Sequence, residues 1–194
     1  MQEEQLRKLR EDIVFEAQVR GQSLRFHSTW GLFNPKGVDA GSRLLIERIA
    51  AAPDATCLDL GCGFGPIGLA LARLCPQGMV HMVDRDFVAV DYARKNAEVN
   101  GLTNCRVYLS NGFSQVPPMR FDTIASNLPA KAGNEMLSLL MQGAREHLRP
   151  GGSFYVVTIA GLKDYVKRTF AEVFGNYEKV KQGKTHLVSG ARRQ

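Results

Sequence analysis

The sequence predicts an α/β fold, a doubly wound and mainly parallel seven-stranded sheet with helices on both faces and a small N-terminal hairpin extension. Three observations lead there. From Thr56 onward, short apolar runs alternate with amphipathic stretches of helical spacing, the pattern of a sheet covered on both faces. A glycine-rich stretch, LDLGCGFGPIG (Leu58 to Gly68), joins the first of these strands to the first of these helices, where such sheets receive ligands. The 194 residues contain no repeat, low-complexity tract or linker, and that length suits one domain. Within it, residues 1–40 read as a helix and hairpin extension packed on a core of residues 41–194.

The first dozen residues suggest a short polar helix or a frayed end. DIVFEAQV and SLRFHST flank Arg20-Gly21-Gln22 and read as two strands around a tight turn. GSRLLIERIAAA has helical spacing, with Leu44, Leu45, Ile49 and Ala52 on one face and Pro53 as its stop. TCLDL is a strand, PIGLALARLC a helix with Pro66 in its first turn, and MVHMVD a strand. FVAVDYARKNAEVN turns Val90, Ala93 and Ala97 inward and ends at Gly101. CRVYLS and FDTIAS are strands. NEMLSLLMQGAREHL buries Met136, Leu137, Leu140, Met141, Ala144 and Leu148, and RPGG breaks it. SFYVVTIA is a strand, YVKRTFAEVF a helix with a stripe of Val166, Phe170, Val173 and Phe174, and Gly175 closes it. Two last strands, YEKVKQ and THLVSGAR, are separated by Gly183.

Hydrophobic residues make up 44% and charged residues 23%, a balance that fits a globular protein. No apolar run approaches the ~20 residues of a membrane span. The charged start MQEEQLRKLRED does not resemble a signal peptide, so a cytoplasmic location is expected. Cys57, Cys62, Cys75 and Cys105 are scattered, and His27, His81, His147 and His186 lack ligand spacing, so neither a metal site nor a disulfide framework is expected. The net charge is +6, and from Leu162 onward eight Lys or Arg face three acids. A polyanionic partner would explain this excess, as would a solvated basic face.

In the glycine loop, Gly61, Gly63 and Gly65 alternate, and Gly63, Gly65 and Gly68 match the dinucleotide spacing GxGxxG. A tight strand-to-helix turn would also use glycines here. Asp59 precedes the loop at the strand's end, where a carboxylate suits a cationic ligand and repels a pyrophosphate. Asp84 ends the next strand, about 20 residues past the loop, where an acid can accept ribose hydroxyls. S-adenosyl-L-methionine has a ribose, an ammonium group, a sulfonium and no phosphate, and so suits both acids better than a dinucleotide does.

These residues resemble the class I S-adenosylmethionine-dependent methyltransferases, and more narrowly the ribosomal RNA small subunit methyltransferase C branch. The resemblance runs from about Asp12 onward. It includes the hairpin VRGQSLRF, the segment GLFNPKGVDAGSRLL, the loop LDLGCGFGPIGLALA, the helix end RKNAEVNGL and the SNLPAKAG stretch. It implies methylation of an exocyclic amine, guanine N2 in ribosomal RNA, with the RNA or the small ribosomal subunit as partner. Carried over by position, Asp59, Gly61 and Gly63 contact the methionine moiety and Asp84 the ribose, with Cys62, Gly65, Arg85 and Gly112 counted among the cofactor-binding positions. Asn111 stands where an acid near the adenine amine is usual, and a turn before Gly112 is its plain alternative. Asn127 matches the Asn of the family's N-P-P-F motif; Leu128 replaces the first Pro, Pro129 matches the second, and Ala130 replaces the aromatic. A similar N-L-P variant occurs in adenine dimethyltransferases.

An exocyclic purine amine is a poor nucleophile, and the resemblance implies that the Asn127 carboxamide and the Leu128 carbonyl accept its two hydrogens, while proximity does the rest. Ala130 cannot stack on a base, so Trp30 or Phe33, in STWGLF, is expected to offer that surface; otherwise both are core aromatics joining the hairpin to the sheet. Three alternatives stay open at this level. One is a methyltransferase acting on a small molecule or protein amide. Another is a non-catalytic cofactor-binding module that holds RNA or a partner, and the last is a nicotinamide enzyme.

Overall fold

Alternation of apolar runs along the chain produces alternating elements in a computed structural model that describes residues 3–194. A polar helix α1 (Glu3–Arg10) precedes the hairpin strands β1 (Ile13–Val19) and β2 (Gln22–Ser28). These pair antiparallel, with Val19 opposite Gln22. The two-residue turn between them puts Arg20 at φ 49° and Gly21 at φ 79°, the geometry whose twist matches paired strands.

Helix α2 (Ala40–Arg48) is capped by Asp39, whose side chain accepts from the N–H groups of Gly41 and Ser42. It stops at Arg48 rather than at Pro53, because Ile49 turns extended at ψ 137° and drops into the core. Ala52 is consequently exposed. The Arg20 guanidinium crosses to the open end of the helix and donates to the carbonyls of Ile46 (3.0 Å) and Ile49 (2.8 Å), groups a helix end leaves unpaired.

The alternating region follows as β3 (Thr56–Leu60), α3 (Pro66–Leu74), β4 (Met79–Asp84), α4 (Phe87–Val99), β5 (Cys105–Leu109) and β6 (Phe121–Asn127). Then come α5 (Asn134–His147), β7 (Leu148–Ile159), a short 3-10 turn, α6 (Lys163–Phe174), β8 (Glu178–Gln182) and β9 (His186–Arg192). The RPGG segment ends α5 but does not interrupt the sheet: β7 starts at Leu148, opposite Phe121, and its register shifts before Ser153.

The main sheet has seven strands in the order β5-β4-β3-β6-β7-β9-β8. Strands β5, β4, β3, β6 and β7 are parallel, and β9 is antiparallel to both neighbours. One face is covered by α2, α3, α4 and the hairpin, around Phe26, Leu45, Leu69 and Met82. The other is covered by α5 and α6, around Leu137, Met141, Phe154 and Phe170. After β5 the chain returns to the far side of β3, so the strand order reverses between β3 and β6, and a crevice opens beyond their carboxyl ends. Among the described residues no helix is long and apolar enough to cross a membrane.

Candidate active site at the carboxyl ends of the strands

The loop after β3 is held by its neighbour strand, with the N–H groups of Gly61 and Cys62 both donating to the Val83 carbonyl at 2.9 Å. Gly61 has φ 77° and Gly63 φ 54°, and a β-carbon at either would meet open space. Both therefore line the crevice with bare backbone in a conformation that favours glycine. Gly65 (φ 103°) differs, since its β-carbon would lie 2.8 Å from Met82 Cε, and one at Gly68 would lie 2.6 Å from Met82 Cγ. These two are required by close packing of α3 on β4. Cys62 is buried, and burial pushes its thiol well above the ordinary range.

Asp59 is wholly buried beneath this loop. One carboxylate oxygen accepts from the Gly68 N–H at 2.7 Å, and the other has no partner among the described residues. Burial raises its pKa to about 7, opposed by the Gly68 bond and reinforced by the nearby Asp84 charge. An unpartnered buried carboxylate oxygen costs free energy unless a donor reaches it, and an ammonium group would answer it. Asp84, at the end of β4, accepts from the Gly63 N–H (2.8 Å) and the Asp86 N–H (3.0 Å). Its carboxylate is thereby fixed at the rim with lone pairs remaining for further donors. Arg85 and Asn111 are exposed after β4 and β5. Gly112, at φ 58°, makes the turn there, and its carbonyl accepts from the Ser110 hydroxyl at 2.8 Å.

Asn127 ends β6, beside β3 in the sheet. Its Nδ2 donates to Ser42 Oγ at 3.0 Å and lies 3.3 and 3.4 Å from the two oxygens of Asp39. The Asp39 side chain already acts as an acceptor toward the Gly41 and Ser42 N–H groups, so it is the amide nitrogen of Asn127 that faces it. The amide oxygen takes no hydrogen bond from any described residue. The Leu128 N–H donates to the Val157 carbonyl at 3.1 Å and the residue is 3% exposed, so its backbone is held at the peptide preceding its carbonyl and by the buried side chain. Pro129 and Ala130 are exposed.

Trp30 and Phe33 are not core aromatics: they are 47% and 74% exposed. They lie in the loop that runs from β2 to Asp39, and the Lys36 ammonium sits 4.9 Å above the Trp30 ring. Topology thus gathers Gly61, Gly63, Asp84, Asn111 and Asn127 at one end of the sheet, with Asp59 below the loop. Asp39 and Ser42 complete the arrangement, 88 and 85 residues before Asn127. Their sequence signal, Asp-Ala-Gly-Ser ahead of Leu44 and Leu45, reads on its own only as part of the family-like segment GLFNPKGVDAGSRLL. Among the described residues no group of three or more His, Cys, Asp or Glu side chains could hold a metal ion.

The sequence profile of the methyltransferase small domain family matches residues 23–189. The chain is 38% identical over 141 residues to the uncharacterized protein YbxB of Bacillus subtilis, covering 72% of this chain and 70% of that one. It is 35% identical over 156 residues to ribosomal RNA small subunit methyltransferase C of Salmonella choleraesuis, covering 78% of this chain and 44% of that one. A solved structure of the Thermus thermophilus 16S rRNA N2 G1207 methyltransferase, in complex with AdoMet and guanosine, superposes with a TM-score of 0.85 at 29% identity. That match covers 93% of this chain and 50% of the other, so the chain spans about half the length of those two rRNA methyltransferases. With the fold, the glycine crevice and these likenesses in agreement, the chain belongs to the methyltransferase small domain family, within the class I S-adenosylmethionine-dependent methyltransferases.

Proposed function

We propose that the protein methylates an exocyclic amine of ribosomal RNA, with guanine N2 as the acceptor. The observation that carries this reading is Asn127, whose carboxamide nitrogen is tied to Asp39 and Ser42 while its oxygen is left for a donor. Bound S-adenosyl-L-methionine supplies a methyl group already activated by its sulfonium. The chain's part is to hold and orient. Asp59 would take the ammonium group through its unpartnered oxygen, and the bare backbone at Gly61 and Gly63 would lie along the methionine moiety. Asp84 would accept the ribose hydroxyls, and the Asn111 carboxamide oxygen would accept from the adenine amine.

At the acceptor, the Asn127 oxygen and the Leu128 carbonyl accept the two amine hydrogens. With both hydrogens so engaged, the nitrogen lone pair would point toward the methyl group that the bound donor supplies, and the amine would pass its surplus proton to solvent. Such alignment is worth several kcal/mol of barrier, about 7–11 at best. A base in folded RNA must first be turned out, at a cost of roughly a few kcal/mol. Stacking on Trp30 or Phe33 would offset it by ~1–3 kcal/mol, in place of the contact Ala130 cannot make. Support for guanine comes from the likeness to the Thermus enzyme, whose structure holds guanosine.

A small-molecule acceptor is the second reading, favoured by the small side chain at Ala130. The test is to incubate the protein with methyl-labelled donor and naked small-subunit rRNA, intact small subunits or a pool of small metabolites. Label recovered as N2-methylguanine from RNA is the expected result. Label confined to small molecules establishes the second reading instead.

A further inference from the structure

Asn96 on α4 and Asn100 at its C-terminal cap stand four residues apart, so their side chains share one face, and both address the outer edge of β2. Asn100 accepts from the Arg25 N–H at 3.0 Å and donates to the Arg25 carbonyl at 2.7 Å. Asn96 repeats this two residues along, accepting from the His27 N–H at 2.7 Å and donating to the His27 carbonyl at 2.8 Å. The two carboxamides thus imitate a partner strand, pairing alternate residues of β2.

Asn96 makes one bond that Asn100 does not. It donates to the Phe64 carbonyl at 2.9 Å, between Gly63 and Gly65 in the glycine loop. The residue is fully buried, and both its donors and its acceptor are in use. The same junction is packed by aromatic rings, with Phe64 meeting Phe15 edge-on at 6.0 Å and Phe26 at 5.8 Å. It is clasped from outside by Asp12, which accepts from Tyr92 and Lys95 of α4 and pairs with His27 of β2. The Gly63 N–H in turn holds Asp84. A continuous set of bonds therefore runs from Asp84 through the glycine loop and Asn96 to His27, three residues before Trp30.

We propose that Asn96 is a positioning residue that couples the cofactor loop to the segment carrying Trp30 and Phe33, so that filling the cofactor site sets the acceptor-stacking surface. The inference rests on the reading that this segment meets the acceptor. Its value to the reaction is order: a base is captured where a donor already waits, rather than turned out to no purpose.

Trp30 is the single tryptophan of the chain, so its fluorescence reports on this segment directly, and S-adenosylhomocysteine serves as an unreactive probe. In the wild-type protein, the bound probe should reduce acrylamide quenching of Trp30 and slow amide exchange across residues 25–30. In Asn96→Ser, calorimetry should still record binding of the probe while Trp30 no longer responds. Asn100→Ala, which spares the Phe64 bond, should keep the response. With small-subunit rRNA, saturating probe should tighten wild-type binding about fivefold or more, and the Asn96→Ser variant should lose that gain.

Wild-type fluorescence and exchange that ignore the bound probe would overturn the coupling even if the variant did not fold, and so would a full Trp30 response in Asn96→Ser. Failure of the underlying reading looks different: Phe33→Ala and Trp30→Ala would bind rRNA as the wild type does while the wild-type Trp30 response persisted.

Discussion

Asp59 and Asp39 show how two buried or half-buried carboxylates do different work on the same scaffold. Burial holds the Asp59 pKa at about 7, against 3.8 for an ordinary aspartate. The folded state therefore keeps a proton that the unfolded chain releases near pH 4, and the unliganded protein loses stability as pH rises from about 4 to about 7. Cofactor binding should run the other way. An ammonium group favours the carboxylate, so cofactor affinity should fall about tenfold per pH unit below pH 7 and binding should release a proton. Calorimetry in buffers of different ionisation heat measures that proton, and Asp59→Asn should flatten the profile. Asp39, by contrast, acts through Asn127. Asp39→Asn can still cap α2, but its own amide no longer forces the Asn127 amide nitrogen to face it. Methyl transfer should drop by up to about 100-fold, the usual cost of a misplaced reacting group, with cofactor affinity unchanged in the same titration.

At the scale of elements, α3 and β4 approach so closely that side chains on one dictate backbone on the other. Met82 is fully buried, and its Cγ, Sδ and Cε all lie within 2.7 Å of a β-carbon built at Gly68. No swing of the thioether end clears all three contacts, so Gly68→Ala should cost about 1–3 kcal/mol of stability, read as a lower urea midpoint. The Gly63-Gly65-Gly68 spacing that resembles a dinucleotide motif is thus partly a packing motif. The strands and most helices were legible because period and punctuation agreed, as with Pro66 opening α3 and Gly175 closing α6. The end of α2 was not legible. Local sequence carries it on to Pro53, whereas the observed end depends on Arg20 from another element. The site divides in the same way. Glycines and strand-end acids announced themselves, but Asp39, Ser42 and Asn96 act across long sequence separations, and each also reads as an ordinary cap or helix residue.

Across the whole molecule, part of the basic excess after Leu162 divides between the two ends of the sheet, because β9 runs opposite to β7. Asn127 pairs with Val157 and Ile159 pairs with His186, so the end of β7 and the start of β9 share the active-site edge. Lys163 opens α6 there, and Lys184 lies in the β8–β9 turn, where the Ala160 N–H reaches the Thr185 carbonyl at 2.9 Å. Lys36, beside Trp30, and Lys131, after Ala130, extend the same rim. At the opposite end Arg192 pairs with Ser153, and Arg193 donates to the carbonyls of Leu148 and Glu146, holding the chain end to the fold. An RNA that reaches Asn127 should therefore meet the cations of the active-site edge alone. Reversing Lys163 and Lys184 together to Glu should weaken small-subunit rRNA binding and lower the slope of log affinity against log salt by about 1.5, the share of two phosphate contacts. Reversing Arg120, just before the start of β6, and Arg192 should leave that slope in place, and neither pair should alter cofactor affinity. Anisotropy titrations across a range of salt would decide it. Equal slopes for the two double variants would place the RNA elsewhere on the surface, since screening weakens every cation it touches and spares those it does not.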